Sequence, residues 1–91
     1  MLFIVTHVHA PDHCPSGDPE MMKKTVGALA GESTAKKANV KVLGSYIAPP
    51  EHTLFFILDA DTYDNIVNFF EPAMKLGTAK IVPVTPLKTV V

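Results

Sequence analysis

The segments of this sequence that favour β-strands are apolar on both of their alternating faces. Successive side chains of a strand point to opposite sides of the sheet. In the third such segment, one set of side chains is Leu54, Phe56 and Leu58. The opposite set is Phe55 and Ile57. Because an antiparallel sheet with one face in water alternates apolar and polar residues, these strands require protein cover on both faces.

Strand-like and helical segments follow one another along the chain in the order β-α-β-β-α-β. The predicted strands cover residues 2–9, 40–48, 53–60 and 80–85. This order is that of the ferredoxin-like split βαβ arrangement. Right-handed crossovers place the first and third strands at the centre of a four-stranded antiparallel sheet, with two helices on one face. The predicted fold class is therefore α+β, with residues 1–91 forming a single domain.

The first helical region begins with a strong N-terminal signal. Asp18, Pro19 and Glu20 supply an N-cap, a proline at the first helical position and an acid in the first turn. An apolar face with helical spacing follows, formed by Met22, Val26, Leu29 and Ala30. Gly31 ends or weakens this helix, and residues 33–39 are predicted to add a short polar helical piece.

The second helical region is predicted to begin at Asp61, because Asp64 three residues later resembles the partner residue of a capping box. Its apolar stripe consists of Tyr63, Ile66, Val67, Phe70, Ala73 and Met74. Pro72 is expected to kink this helix or to start its final turn. Gly77 is expected to act as its C-cap.

Composition excludes several classes of protein. A chain of 91 residues is a small domain, which buries only about 60–65% of its unfolded surface as a monomer. A hydrophobic content of 47% with 19% charged residues excludes a disordered chain. The net charge of −1 provides no basic field, so nucleic acid and anionic membranes are not expected as partners.

Several features favour a cytoplasmic location. The single cysteine excludes an internal disulfide framework and fits a reducing compartment. Residues 1–5 are apolar but lack the basic region of a signal peptide, and His7 and His9 interrupt the apolar run. No run of about 20 apolar residues is present, so no membrane span is expected.

The second face of the predicted sheet needs a partner, because two helices cover only one face. Burial of apolar surface contributes about 25 cal/mol per Å², so an exposed apolar face is a large liability. We therefore expect a homodimer in which a second copy packs sheet to sheet about a two-fold axis.

Segments from both ends of the chain carry a resemblance to a known superfamily. Met1–Thr6 and Phe55–Asp61 are similar to the first and third strands of short, uncharacterised DUF3303-type proteins. Their last helix and strand resemble the segments Phe70–Pro72 through Gly77 and Val82–Val84. Over most of its length the chain thus resembles the dimeric α+β barrel superfamily, which implies a ferredoxin-like fold and a homodimer. The superfamily includes small monooxygenases, haem-binding proteins, lactone-forming enzymes and proteins without known activity.

All four histidines and the single cysteine are predicted to gather at one end of the sheet. His7 and His9 point to the same face of the first strand, since they are two residues apart. His13 and Cys14 follow on the next loop, and His52 directly precedes the third strand. Because the first and third strands are antiparallel neighbours in the predicted topology, His52 is expected to lie next to His9.

These residues predict a transition-metal site. Imidazole and thiolate are ligands that borderline transition metals prefer, so iron, zinc, copper or nickel is the expected ion. His7, His9 and His52 are the leading ligands. His13 and Cys14 are the alternates. The nearby carboxylates of Asp12 and Glu51 could complete the set. Iron or copper would support redox chemistry, and zinc with a bound water would support hydrolysis or hydration.

Other functions stay open at this stage. The superfamily resemblance implies that haem is an alternative, with His7 or His9 as the axial ligand. One histidine with Asp12 or Glu51 could transfer protons without a metal, and Cys14 beside His13 could act as a nucleophile. A non-catalytic barrel that binds a small ligand, or serves in assembly, is the alternative of another class.

Overall fold

The computed structural model describes residues 1–91, and its four strands form one antiparallel sheet. The strands are β1 (Leu2–Val8), β2 (Lys41–Ala48), β3 (Thr53–Asp59) and β4 (Thr78–Val84). Their order across the sheet is β2-β3-β1-β4, so β1 and β3 lie at the centre as predicted. The chain is α+β, and this sheet is compatible with the ferredoxin-like arrangement.

The predicted fold class has two helices, whereas the structure contains four, three of them in the first helical region. They are α1 (Pro19–Lys24), α2 (Val26–Ala30), α3 (Glu32–Ala38) and α4 (Tyr63–Phe69). No helix has the length and apolar character needed to cross a bilayer.

Three short helices therefore occupy the first helical region. Asp18 caps α1 as predicted, and its Oδ1 accepts hydrogen bonds from the backbone of Glu20 and Met21. The chain bends at Thr25, whose hydroxyl donates to the Met21 carbonyl at 2.7 Å, a back-bond that commonly bends helices. Gly31 is extended and separates α2 from α3. The predicted polar helical piece is confirmed as α3.

The second helical region begins and ends at different residues from those predicted. Thr62, rather than Asp61, is the N-cap of α4, because its hydroxyl accepts from the Asn65 backbone N–H at 3.2 Å. The helix ends at Phe69, and a separate 3-10 turn follows at residues 71–73. Pro72 explains the interruption, since it lacks an N–H and its ring clashes with the preceding turn of a helix.

The hydrophobic core lies between the helices and one face of the sheet. The largest buried side chains of this core are Phe3, Val5, Leu29, Leu54, Phe56, Leu58, Ile66, Phe69 and Phe70. Three of the rings, those of Phe56, Phe69 and Phe70, pack edge to face with centroids 5.0–5.8 Å apart. Such pairs add about 0.5–1.5 kcal/mol each beyond the area that they bury. Ala30 of the predicted helical face is exposed, as are Tyr63 and Met74 of the predicted stripe.

The opposite face of the sheet is apolar, as predicted, and no helix covers it. Ile4, Val8, Phe55, Ile57 and Val82 are each between 36% and 46% exposed. Ile4 is paired with Ile57 on one side and with Val82 on the other, so these side chains are contiguous. We call Ile4, Val8, Phe55, Ile57 and Val82 the open apolar face.

Gly77 is not the helix C-cap that the sequence predicts, because α4 ends well before it. It lies just before β4, against the end of β1. A Cβ atom at this position would collide with the Val8 carbonyl and the His9 Cα. Glycine is required here by the close approach of two backbone segments.

Gly77→Ala should therefore lower the free energy of unfolding by about 1–3 kcal/mol, because the added methyl forces backbone apart. Urea unfolding followed by circular dichroism measures the change. The matched control is Gly17→Ala, since nothing lies within 4 Å of a Cβ at Gly17. Equal unfolding midpoints for the two variants would contradict this account of Gly77.

Candidate metal centre

Three separate segments bring His9, Cys14 and His52 together at one end of the sheet. His9 directly follows β1, Cys14 lies in the loop after it, and His52 directly precedes β3. The His9 backbone N–H donates to the His52 carbonyl at 3.1 Å, which extends the β1–β3 pairing by one step. The predicted closeness of His9 and His52 is thereby confirmed.

The spacing of the donor atoms suits a shared metal ion. His9 Nε2 and His52 Nδ1 are 3.3 Å apart, and the two rings stand nearly perpendicular. One ligand atom from each of His9, Cys14 and His52 lies within 4.8 Å of the others. Two nitrogens bound tetrahedrally at about 2.0–2.1 Å from one ion would be roughly 3.3–3.4 Å apart. The same separation also allows a hydrogen bond between the two rings.

Two 3-10 turns position Cys14. Residues Pro11–His13 form the first turn and Pro15–Gly17 the second, and Cys14 lies between them in an extended conformation. Each turn begins with a proline, whose fixed φ restricts the conformations of the loop. The backbone N–H of Cys14 donates to the Pro11 carbonyl at 3.2 Å, which ties the residue to the first turn.

Ser16 favours the thiolate form of Cys14. The Cys14 Sγ and Ser16 Oγ atoms are 3.2 Å apart. Hydrogen bonding with the side chain and the backbone of Ser16 lowers the pKa of the Cys14 thiol. Since the thiolate is the form that binds metals, Ser16 supports Cys14 as a ligand. The sequence analysis missed this residue, although a hydroxyl two positions after the cysteine is a usable signal.

His52 adopts an uncommon backbone conformation. Its φ of 50° and ψ of 40° lie in the left-handed region, which residues other than glycine rarely occupy. Such a conformation costs about 1–3 kcal/mol and persists where the surrounding structure holds it. A glycine at position 52 would avoid this cost. No pattern in the sequence indicated this conformation.

The pKa of His9 is lowered by its surroundings. The largest cause is desolvation, followed by electrostatic repulsion from His52 and then from His7. A lowered pKa favours the neutral imidazole, which is the form that binds metal ions. The Nδ1 atom of His9 is buried and has no hydrogen-bond partner.

The remaining predicted ligands lie outside this group of three. His7 is buried on the same face of β1 as the core, and its Nε2 donates to the Ala73 carbonyl at 3.1 Å. His13 is exposed, as are the carboxylates of Asp12 and Glu51. The structure therefore brings together three of the five predicted residues, and the assignment of His7 and His13 as ligands stays a prediction.

No protein-family model matches this chain, and no curated protein matches it. The resemblance to the dimeric α+β barrel superfamily stays a prediction.

The lowered pKa of His9 makes the stability of the metal-free protein depend on pH. In the unfolded chain this imidazole has a pKa near the ordinary value of 6.5, so the unfolded state binds the proton more readily than the folded state. The free energy of unfolding should then rise as the pH rises towards 6.5, by at most about 1.4 kcal/mol per pH unit from this group.

Urea unfolding in the presence of a chelator, at several values between about pH 5 and pH 7.5, measures this dependence. His9→Gln should lose part of the rise, whereas the exposed control His13→Gln should keep it. A His9→Gln variant with the same pH dependence as the wild type would contradict the assignment.

Proposed function

We propose that this chain binds one first-row transition-metal ion through the imidazoles of His9 and His52 and the thiolate of Cys14. The observation that carries the proposal is the 3.3 Å separation of the His9 and His52 nitrogens with Cys14 beside them. The lowered pKa values of His9 and Cys14 both favour the forms that bind metals.

The ligand types narrow the choice of ion. Thiolate and imidazole select zinc, copper, iron or nickel over magnesium, calcium and manganese, which prefer oxygen ligands. Two neutral imidazoles and one thiolate carry a total charge of −1, which partly neutralises a divalent cation. A thiolate ligand also fits a reducing compartment, and we propose the cytoplasm.

Three protein ligands leave one position of a tetrahedral ion free, as in catalytic rather than structural zinc sites. His9 is buried, whereas Cys14 and His52 are only partly buried, so the site is open on their side. We propose that a water or a small substrate occupies the fourth position. The chemistry is then hydration or hydrolysis with zinc and oxidoreductase-like with iron or copper.

Removing a ligand should weaken metal binding by roughly 100-fold or more. Even the loss of a residue that only hydrogen-bonds to a ligand typically lowers metal affinity by about 10–100-fold. Cobalt(II) titration of protein without a histidine tag, followed by the cobalt d–d bands and by the thiolate-to-cobalt absorption band, measures the affinity. His52→Ala and His9→Ala should bind weakly, and Cys14→Ser should also lose the charge-transfer band.

His13→Ala is the matched control, since His13 belongs to the same loop but is exposed. Its affinity should equal that of the wild type. Unchanged metal binding in both His52→Ala and Cys14→Ser would refute the site. A Soret band in the absorption spectrum of the purified protein would instead assign haem, and the absence of any metal uptake would favour the non-catalytic alternative.

We also propose that the chain is a homodimer, arranged as a dimeric α+β barrel, through the open apolar face. The helices cover the other side of the sheet, so this contiguous patch of aliphatic and aromatic side chains has no partner within the chain. Contiguous apolar patches on soluble proteins mark interaction sites. A two-fold axis would place the same face of each copy against the other.

A charge at the centre of the open apolar face should prevent this association. Ile57→Lys places an unpaired ammonium group where the second copy would exclude water, which is strongly unfavourable. Sedimentation velocity should show a dimer for the wild type and a monomer for this variant. The control Met21→Lys adds the same charge at an exposed apolar residue of α1 and should remain dimeric. A monomeric wild type would exclude the proposed dimer.

A further inference from the structure

A second candidate site lies under α4, apart from His9, Cys14 and His52. It is a cavity of about 300 Å³ between α4, β1 and β4, with His7 in its wall. Its apolar walls include Val67, Phe70, Ala79 and Ile81. This volume is at the lower end of the range for small-molecule sites, about 300–1,000 Å³, which suits a compound with a single ring.

His7 lines this cavity and carries an unpaired polar atom that is buried behind the cavity wall. The ring is 1% exposed and stacks parallel to Phe70, with centroids 6.0 Å apart. Because the Ala73 carbonyl can only accept, His7 Nε2 carries the proton of that hydrogen bond. In the uncharged ring, Nδ1 is then left with a lone pair, and this buried atom has no partner. Buried polar atoms are almost always paired, so an orphaned one calls for an explanation.

Two other cavities lack this combination. The cavity beside β2 is apolar and is lined by residues such as Leu29 and Ile47. The two unpaired buried side-chain atoms belong to His7 and His9, and neither residue lines this cavity. The cavity around Lys36, Asp59 and Asp61 is polar and open. Apolar walls with a few placed polar groups are typical of small-molecule sites.

We propose that the cavity under α4 binds a small aromatic molecule whose hydroxyl group donates a hydrogen bond to His7 Nδ1. The apolar walls bury the ring, and the hydroxyl supplies the missing donor. In this structure Nδ1 is covered by protein, so the proposal requires the His7 ring to turn until Nδ1 reaches the cavity. The inference goes beyond the metal site, since none of His9, Cys14 and His52 lines the cavity.

Two probes of similar size separate the contribution of the hydroxyl from that of the apolar walls. They are 4-fluorophenol and 4-fluorotoluene, which differ by a hydroxyl in place of a methyl group. Fluorine NMR titration of the full-length, chelator-treated protein should show 4-fluorophenol binding about 10-fold more tightly than 4-fluorotoluene, because a site built for a hydroxyl disfavours the analogue without it. Metal-loaded protein should give the same preference.

Variants of the cavity wall test the assignment. His7→Phe keeps a ring at this position but removes Nδ1, so the preference for the phenol should disappear. Ala79→Val adds methyl groups on the strand face that His7 shares, and it should weaken both probes by about 10-fold. The control Ala30→Val lies on α2 outside this cavity and should bind both probes as the wild type does.

The proposal is overturned if neither probe binds the wild type, or if a folded His7→Phe protein retains the preference for the phenol. Circular dichroism establishes that each variant is folded. Should His7→Phe fail to fold, the Ala79→Val variant decides the matter, because unchanged binding of both probes would place them elsewhere. Loss of metal binding in Cys14→Ser with unchanged phenol binding would support this cavity as a separate site.

Discussion

The antiparallel pairing of β1 with β3 is the constraint on which the candidate metal centre depends. It brings His9 and His52, 43 positions apart in the sequence, into hydrogen-bonding distance. The register is fixed by buried pairs further along the strands, in which Val5 lies opposite Phe56 and Phe3 opposite Leu58. A slip of one residue would turn these side chains to the other face. The core that stabilises the fold therefore also sets the geometry of the site.

Unfavourable local features concentrate at this same end of the sheet. His52 adopts a left-handed backbone conformation, the Nδ1 atoms of His7 and His9 are buried without partners, and Gly77 allows a backbone contact that no other residue permits. Natural proteins accept such departures from local preference mainly at functional sites. Elsewhere the chain has a single core, side-chain caps at the starts of α1 and α4, and one further left-handed residue, Asn39, at the end of α3.

The sequence predicts the strands and the meeting of His9 and His52, because apolar patterning and the order of elements are enough to fix which strands are neighbours. It does not predict the details that depend on single hydrogen bonds. The bend at Thr25 and the cap at Thr62 each follow from one hydroxyl group. His7 shares the strand face of His9, yet its Nε2 is engaged by the Ala73 carbonyl, 66 positions away in the sequence. The position of Cys14 depends on two consecutive turns. Local sequence patterns do not specify the shape that these turns form together.

The two prolines that begin the turns around Cys14 have a consequence for how an ion would enter and leave. In small zinc-dependent domains the chain collapses around the metal, so ion and fold are lost together. Here the β1–β3 pairing positions His9 and His52, and backbone hydrogen bonds of the two turns position Cys14. For the proposed ion, exchange of one metal for another would then be a local event at the surface, and the occupancy of the site would follow the supply of ions rather than the history of folding.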